Sequence, residues 1–246
     1  MGIRQVLATT RSKSSILKLL AGSAAFVALV VLFMPLKTSH VRAEEESEHE
    51  QEASKVQIGF DVAPVQLNLK GKNRGLVGLG SYLVNVQSDC NGCHSAGTST
   101  EYLPDGSPYL LRPPQGPYSG KVQVNPATYL GGGRDFGPYP GLQHLYSRNL
   151  TPDKTGRPEG GHTFDEFLQI MRTGVDFDHL HPTCAGAPNG SCVPAPFNGA
   201  LLQVMPWPAF QTMTEHDLRA MYEYLSAIPC IDTNITGAPI LRNDCN

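Results

Sequence analysis

The 246-residue sequence has no second C-x-x-C pair, no repeat at a fixed period and little positive charge beyond its first 43 residues. Each absence excludes something. Without a repeat, and with a single C-x-x-C-H stretch, an array of like domains is excluded. Without a second C-x-x-C, a structural zinc site lacks the usual source of half of its four ligands. Beyond residue 43 the 13 Lys and Arg face 22 Asp and Glu, a formal charge of −9 against −3 for the whole chain. A body this acidic does not fit nucleic acid, whose phosphates need clustered Lys and Arg. It favours a partner with a basic docking face.

What the sequence does contain is uneven. Its 25 Gly and 20 Pro predict a fold in which loops outweigh regular elements. The first 43 residues combine Arg4, Arg11, Lys13 and Lys18 with an apolar run over 19–36 and a small-residue Val41-Arg42-Ala43 ending. This pattern is expected to be an export signal cut after Ala43; the alternative is an uncleaved anchor holding the protein to the membrane through residues 19–36. Either places the body in the periplasm or on the outer face of the inner membrane. Residues 44–71 begin with the acidic run "EEESEHEQE" and are expected to be a flexible linker. Residues 72–246 are expected to form one domain.

Export bears on the six cysteines, because an oxidising compartment does not leave all of them as thiols. They fall into three local pairs: Cys90 and Cys93, Cys184 and Cys192, and Cys230 and Cys245. The two later pairs are disulfide candidates, bracketing a Gly/Pro/Asn loop and the end of the chain, with connectivity open at this level.

Three helices are predicted from apolar spacing and end signals. The first covers about 73–86, with Leu76, Leu79, Leu83 and Val86 on one face. The second starts on a Thr163…Glu166 capping box and stops at Gly174. The third starts at Thr214, carries Leu218, Met221, Tyr222 and Leu225, and ends before Pro229. The Gly/Pro-rich stretches 104–120 and 131–141 are too broken for continuous helix, though either can hold a short hairpin.

"SDCNGCHSAG", residues 88–97, carries the chemistry. A redox dithiol needs a strand before and a helix after the pair; here a helix precedes and Gly97-Thr98-Ser99 follows. C-x-x-C-H is the attachment pattern of c-type haem: Cys90 and Cys93 are expected to form thioethers to the porphyrin, with His94 held beneath the ring as an iron ligand. The sixth ligand of an electron carrier is His or Met. Met171 and Met221 lie on apolar helix stripes and read as core, and Met213 reads as a staple onto Leu218. Met205 lies in "LLQVMPWPAF", where Pro206 and Pro208 are expected to hold the chain extended. The competing choice is a second imidazole, from His179 or His181.

Four motifs in order, "CNGCH", "NLTPDKTG", "TFDEFLQIMRTG" and "MPWPAFQTMTEHDLRAMYEYL", resemble the monohaem units of class I cytochromes c. The resemblance is narrower still to the cytochrome c subunits of membrane-bound alcohol and gluconate dehydrogenases, over about residues 73–228. It implies a mainly α class I cytochrome c fold, about three core helices around one covalent haem c, with long Gly/Pro-rich loop insertions. Cys90 and Cys93 would bind the haem, His94 and Met205 the iron, and Asn149, Thr151 and Pro152 would lie along the haem edge. The helix from Gly75 would cross the one ending at Leu225, with Gly80 or Tyr82 meeting Tyr222 or Tyr224.

The implied function is one-electron transfer in an exported respiratory or dehydrogenase-linked chain, the protein itself being a carrier and no enzyme. Its partners would be redox proteins, a dehydrogenase subunit or a terminal oxidase among them. The alternative is a peroxidase-like haem enzyme or a haem-based sensor in which Met205 is displaced. The sequence departs from those subunits in having one C-x-x-C-H where they usually carry three haem units, and in the 111 positions between His94 and Met205.

Overall fold

The structure, a computed structural model, describes residues 47–95, 98–112, 116–117, 122–232 and 243–246. The export signal or anchor expected over 1–43 lies outside these residues. Two compact units divide the chain, Met1–Gln51 and Glu52–Asn246. Of the first, only 47–51 are described, and they are helical.

The fold is mainly helical. Helix α1 covers 47–62, followed by α2 (Arg74–Tyr82), α3 (Cys90–His94), α4 (Thr98–Glu101), the short turn α5 (Pro158–Gly161), α6 (Phe164–Thr173), α7 (Trp207–Phe210) and α8 (Glu215–Leu225). Among the described residues the only strands are β1 (Leu111–Arg112) and β2 (Gly116–Pro117), an antiparallel hairpin inside the Gly/Pro-rich 104–120 stretch.

Local chemistry sets the helix ends, at Thr163, Gly174 and Thr214 as the sequence predicts. Asn73 caps α2 by accepting from the Leu76 amide. Thr163 and Glu166 form both bonds of a capping box, and Gly174 ends α6 in a left-handed conformation. Thr214 accepts from the Asp217 amide to open α8. After Tyr82 the first predicted helix widens into a π-turn over Leu83–Gln87, a form that marks strain or function.

Helices α2, α6 and α8 meet in one core of Val77, Leu83, Phe167, Met171, Leu218 and Met221. The crossing of α2 and α8 is tight: a Cβ on Gly80 would stand 1.9 Å from the Ala220 carbonyl oxygen and 2.8 Å from the Tyr224 Cβ. The expected small-against-aromatic approach is therefore Gly80 against Ala220 and Tyr224. Beside it, the buried Tyr129 and Tyr224 hydroxyls lie 2.7 Å apart, and the Tyr129 hydroxyl donates to Asn85 Oδ1 at 2.6 Å. Both buried phenols are thereby satisfied, as burial requires.

The linker expected over 44–71 differs from what is found. Residues 47–62 are helical, and the compact unit begins at Glu52, not at 72. The acidic run hides a helix because Glu and Gln are good helix formers, while Val56 and Phe60 supply an apolar face that packs on the core. There α1 meets α2 at Gly59 and Gly78, and Ser81 Oγ donates to the Gly59 carbonyl at 2.6 Å.

Candidate haem-binding site

The one-turn helix α3 places Cys90 and Cys93 three residues apart, on one face. Three bonds hold this turn: Leu130 N donates to Asn91 Oδ1 at 2.9 Å, Gly132 N to the His94 carbonyl at 2.7 Å, and Arg134 to the Gly92 carbonyl. Gly132 can pass here only because it has no side chain: its φ is +74°, and a Cβ would stand 2.5 Å from the Arg148 carbonyl carbon.

His94 is oriented from behind. Its Nδ1 donates to the Arg148 carbonyl at 2.8 Å, which leaves Nε2 as the free lone pair. Burial lowers the His94 pKa, so the ring is held neutral. The first wall of an apolar cavity of about 700 Å³, mouth included, is built from Cys93, His94 and Tyr146–Arg148. A second wall is Leu201–Pro206, with Met205 in it, and Phe136, Leu145, Glu159, Asp176, Leu180 and His181 complete the lining. Residues 111 positions apart thus share one space.

The loop carrying Met205 departs from the expectation of a uniformly extended chain. Trp207 N donates to the Met205 carbonyl at 2.8 Å, with Pro206 at φ −78°, ψ 49°, and Trp207–Phe210 then form a single helical turn, α7. Pro208 does not prevent it, because the amides of a first turn have no intrahelical partner to lose.

Cys90 is half-buried against the main core and is not among the residues lining the cavity. Burial, with Asp89 and Cys93 beside it, pushes its thiol up to about 12. A thiol held protonated is a poor match for a low-pKa redox dithiol or a thiolate zinc ligand. The other four cysteines are occupied: Cys184 bonds Cys192 and Cys230 bonds Cys245. Among the described residues Cys90 and Cys93 are the free ones, and no group of three or more potential metal-ligating His, Cys, Asp or Glu is found.

Asn149, Thr151 and Pro152, expected along the haem edge, are buried but are not among the lining residues. Their polar groups are used elsewhere. Asn149 Oδ1 accepts from the Thr151 amide and hydroxyl at 2.8 and 2.7 Å, and Asn149 Nδ2 donates to the Ile231 carbonyl at 2.7 Å. Asn243, next to the Cys245 disulfide, donates to Thr151 Oγ1 at 2.6 Å. The motif braces the stapled C-terminus, and it is Tyr146–Arg148 just before it that face the cavity.

Arg148, Glu159 and Asp176 carry no local sequence signal, because they converge from separate loops. Arg148 pairs with Asp176 at 2.5 Å and Asp178 at 2.8 Å. Glu159 is 7% exposed, sits at φ 53°, and burial raises its pKa. Of the two competing histidines, His181 lines the cavity and His179 does not.

The donor set fits a c-type haem: two free cysteines on one face, a neutral imidazole with its Nδ1 committed, and a thioether lining the same apolar cavity. A mainly helical chain with this site is compatible with a cytochrome c fold. Comparison with known proteins gives the same class. The chain is 22% identical over 162 residues to the fructose dehydrogenase cytochrome subunit of Gluconobacter japonicus, covering 66% of this chain and 23% of that one. It is 28% identical over 152 residues to the gluconate 2-dehydrogenase cytochrome c subunit of Pantoea cypripedii, 62% of this chain and 23% of the relative. The cytochrome c subunit of alcohol dehydrogenase (quinone) from Gluconacetobacter polyoxogenes is 28% identical over 137 residues, 52% and 24% respectively. The chain is a relative of dehydrogenase cytochrome c subunits and spans about a quarter of the length of these curated relatives. No family model and no solved structure matches it.

Proposed function

We propose that the chain is a one-electron carrier built on a class I cytochrome c fold, with one haem c attached through Cys90 and Cys93 and with His94 and Met205 as axial ligands. The observation that carries this reading is the single cavity that collects Cys93, His94 and Met205 from distant parts of the sequence. When bound, the haem supplies one-electron Fe(III)/Fe(II) exchange. The protein's part is to hold His94 in one tautomer through the Arg148 carbonyl, to present Met205 from a turn stiffened by Pro206, and to keep water out with apolar walls. Thioether ligation favours the ferrous form relative to two imidazoles.

The names of the relatives support a dehydrogenase as electron donor; the periplasmic side of the inner membrane is the proposed location and a terminal oxidase a further proposed redox partner. Among the described residues no helix is long and apolar enough to cross a membrane; residues 19–36 are the proposed membrane attachment if the export signal is retained. The presence of His181 in the cavity supports one competing ligand set, two imidazoles, which would leave Met205 free. An enzyme or sensor reading needs the iron opened by displacement of Met205.

The attachment claim is tested by acidic-acetone extraction of the purified protein. One haem per chain should stay in the protein fraction, and Cys90→Ala/Cys93→Ala should release it. Haem extracted from the unaltered protein would overturn the reading.

A further inference from the structure

The two walls of the cavity come from chain segments with no sequence neighbours in common, yet a short series of bonds joins them. His94 Nδ1 donates to the Arg148 carbonyl at 2.8 Å. The Arg148 side chain, 13% exposed, donates from Nη2 to Asp176 Oδ1 at 2.5 Å and from Nη1 to Asp178 Oδ2 at 2.8 Å. The main chain of Asp176 then donates to the Ala200 carbonyl at 2.8 Å, and Leu202 N returns to the Gly174 carbonyl at 2.7 Å, on either side of the Val175–Leu201 bridge. Leu201 opens the wall that ends at Met205 and Pro206.

We propose that the part-buried Arg148–Asp176 pair is a positioning clamp, which fixes the wall carrying His94 relative to the wall carrying Met205. The proposal deepens the haem reading and rests on it for what the two walls present to the iron.

The chemistry of the pair suits this role. Asp176 is 2% exposed, and its Oδ1 also accepts from the amides of Asp178 at 3.0 Å and His179 at 3.1 Å. One carboxylate oxygen therefore closes the 176–179 turn and receives the guanidinium. Only Arg has a planar fork able to reach two carboxylates at once from a nearly buried position; an ammonium is a point charge with a different reach. The pair also has a cost when broken, because removing the guanidinium strands the buried Asp176 charge. Arg148 thus acts twice, through its carbonyl on the imidazole and through its side chain on the turn that bonds the second wall.

The test compares the haem-loaded full chain with Asp176→Asn and Arg148→Lys by amide hydrogen exchange, and records the sulfur-to-iron charge-transfer band of the same samples. Loss of the clamp should speed exchange at least about tenfold in both 147–150 and 200–205, leave α2 and α8 unchanged, and weaken the band. Acceleration confined to 174–179, or a band of unaltered strength with wild-type exchange in either wall, would overturn the proposal. A wild-type protein without the band would contradict Met205 as ligand, while the exchange result would still decide the clamp. Should Asp176→Asn not fold, Asp178→Asn, which removes only the outer arm of the guanidinium, is read in the same way.

Discussion

Gly80 of α2 lies against the main chain of Ala220 in α8, so closely that a Cβ would stand 1.9 Å from the Ala220 carbonyl oxygen. This approach sets the distance between two of the three helices that form the main core. It also brings Tyr224 to Tyr129 and Asn85, where the three side chains share hydrogen bonds of 2.6–3.2 Å.

The close approach makes Gly80 intolerant. Gly80→Ala adds one methyl where backbone, not a mobile side chain, is the obstacle, and should lower unfolding free energy by about 1–3 kcal/mol. Urea unfolding of the purified protein measures it. Gly71, with open space around its Cβ position, should lose less, and only through its positive φ.

The stapled C-terminus gives a second prediction. Cys230 and Cys245 close a loop of sequence separation 15, worth about 3 kcal/mol in the chain-entropy description. Cys230→Ser/Cys245→Ser should lose about that much. Because Asn243 and Ile231 bond Thr151 and Asn149, amide exchange should also rise across 149–151, far from the cysteines in sequence.

Glu159 gives a pH dependence of defined sign. Burial raises its folded pKa above the ordinary 4.5, so between those two values the folded protein holds a proton that the unfolded chain has released. Its contribution to stability therefore falls as pH rises through that window and is constant above it. Glu159→Gln removes the slope. Its urea midpoint should match wild type at about pH 4 and exceed it at about pH 7; a gap that is constant with pH would contradict the assignment.

These side chains show what sequence can and cannot reveal. The helix ends at Asn73, Thr163, Gly174 and Thr214 are local events, each written in a cap or stop residue beside an apolar stripe. The pairs 184/192 and 230/245 were legible as disulfide candidates because each closes a short loop. Helix 47–62 was hidden because its acidic residues outweigh Val56 and Phe60 in any composition. The turn at Trp207–Phe210 was hidden because two prolines read as extended, although a first helical turn tolerates them. Arg148, Glu159 and Asp176 had no pattern to find, since their meeting depends on tertiary packing of three loops. Asn149 and Thr151 were visible as a motif, but their bonds run to the C-terminus and not to the cavity.

The central claim is that His94 and Met205 close on one iron, and the near-infrared edge of the visible spectrum of the oxidised protein tests it most directly. The sulfur-to-iron charge-transfer band should be present in the unaltered protein and absent from Met205→Ala. A wild-type protein without the band, as ligation by His94 and His181 would give, or a band that survives in Met205→Ala, would contradict the account.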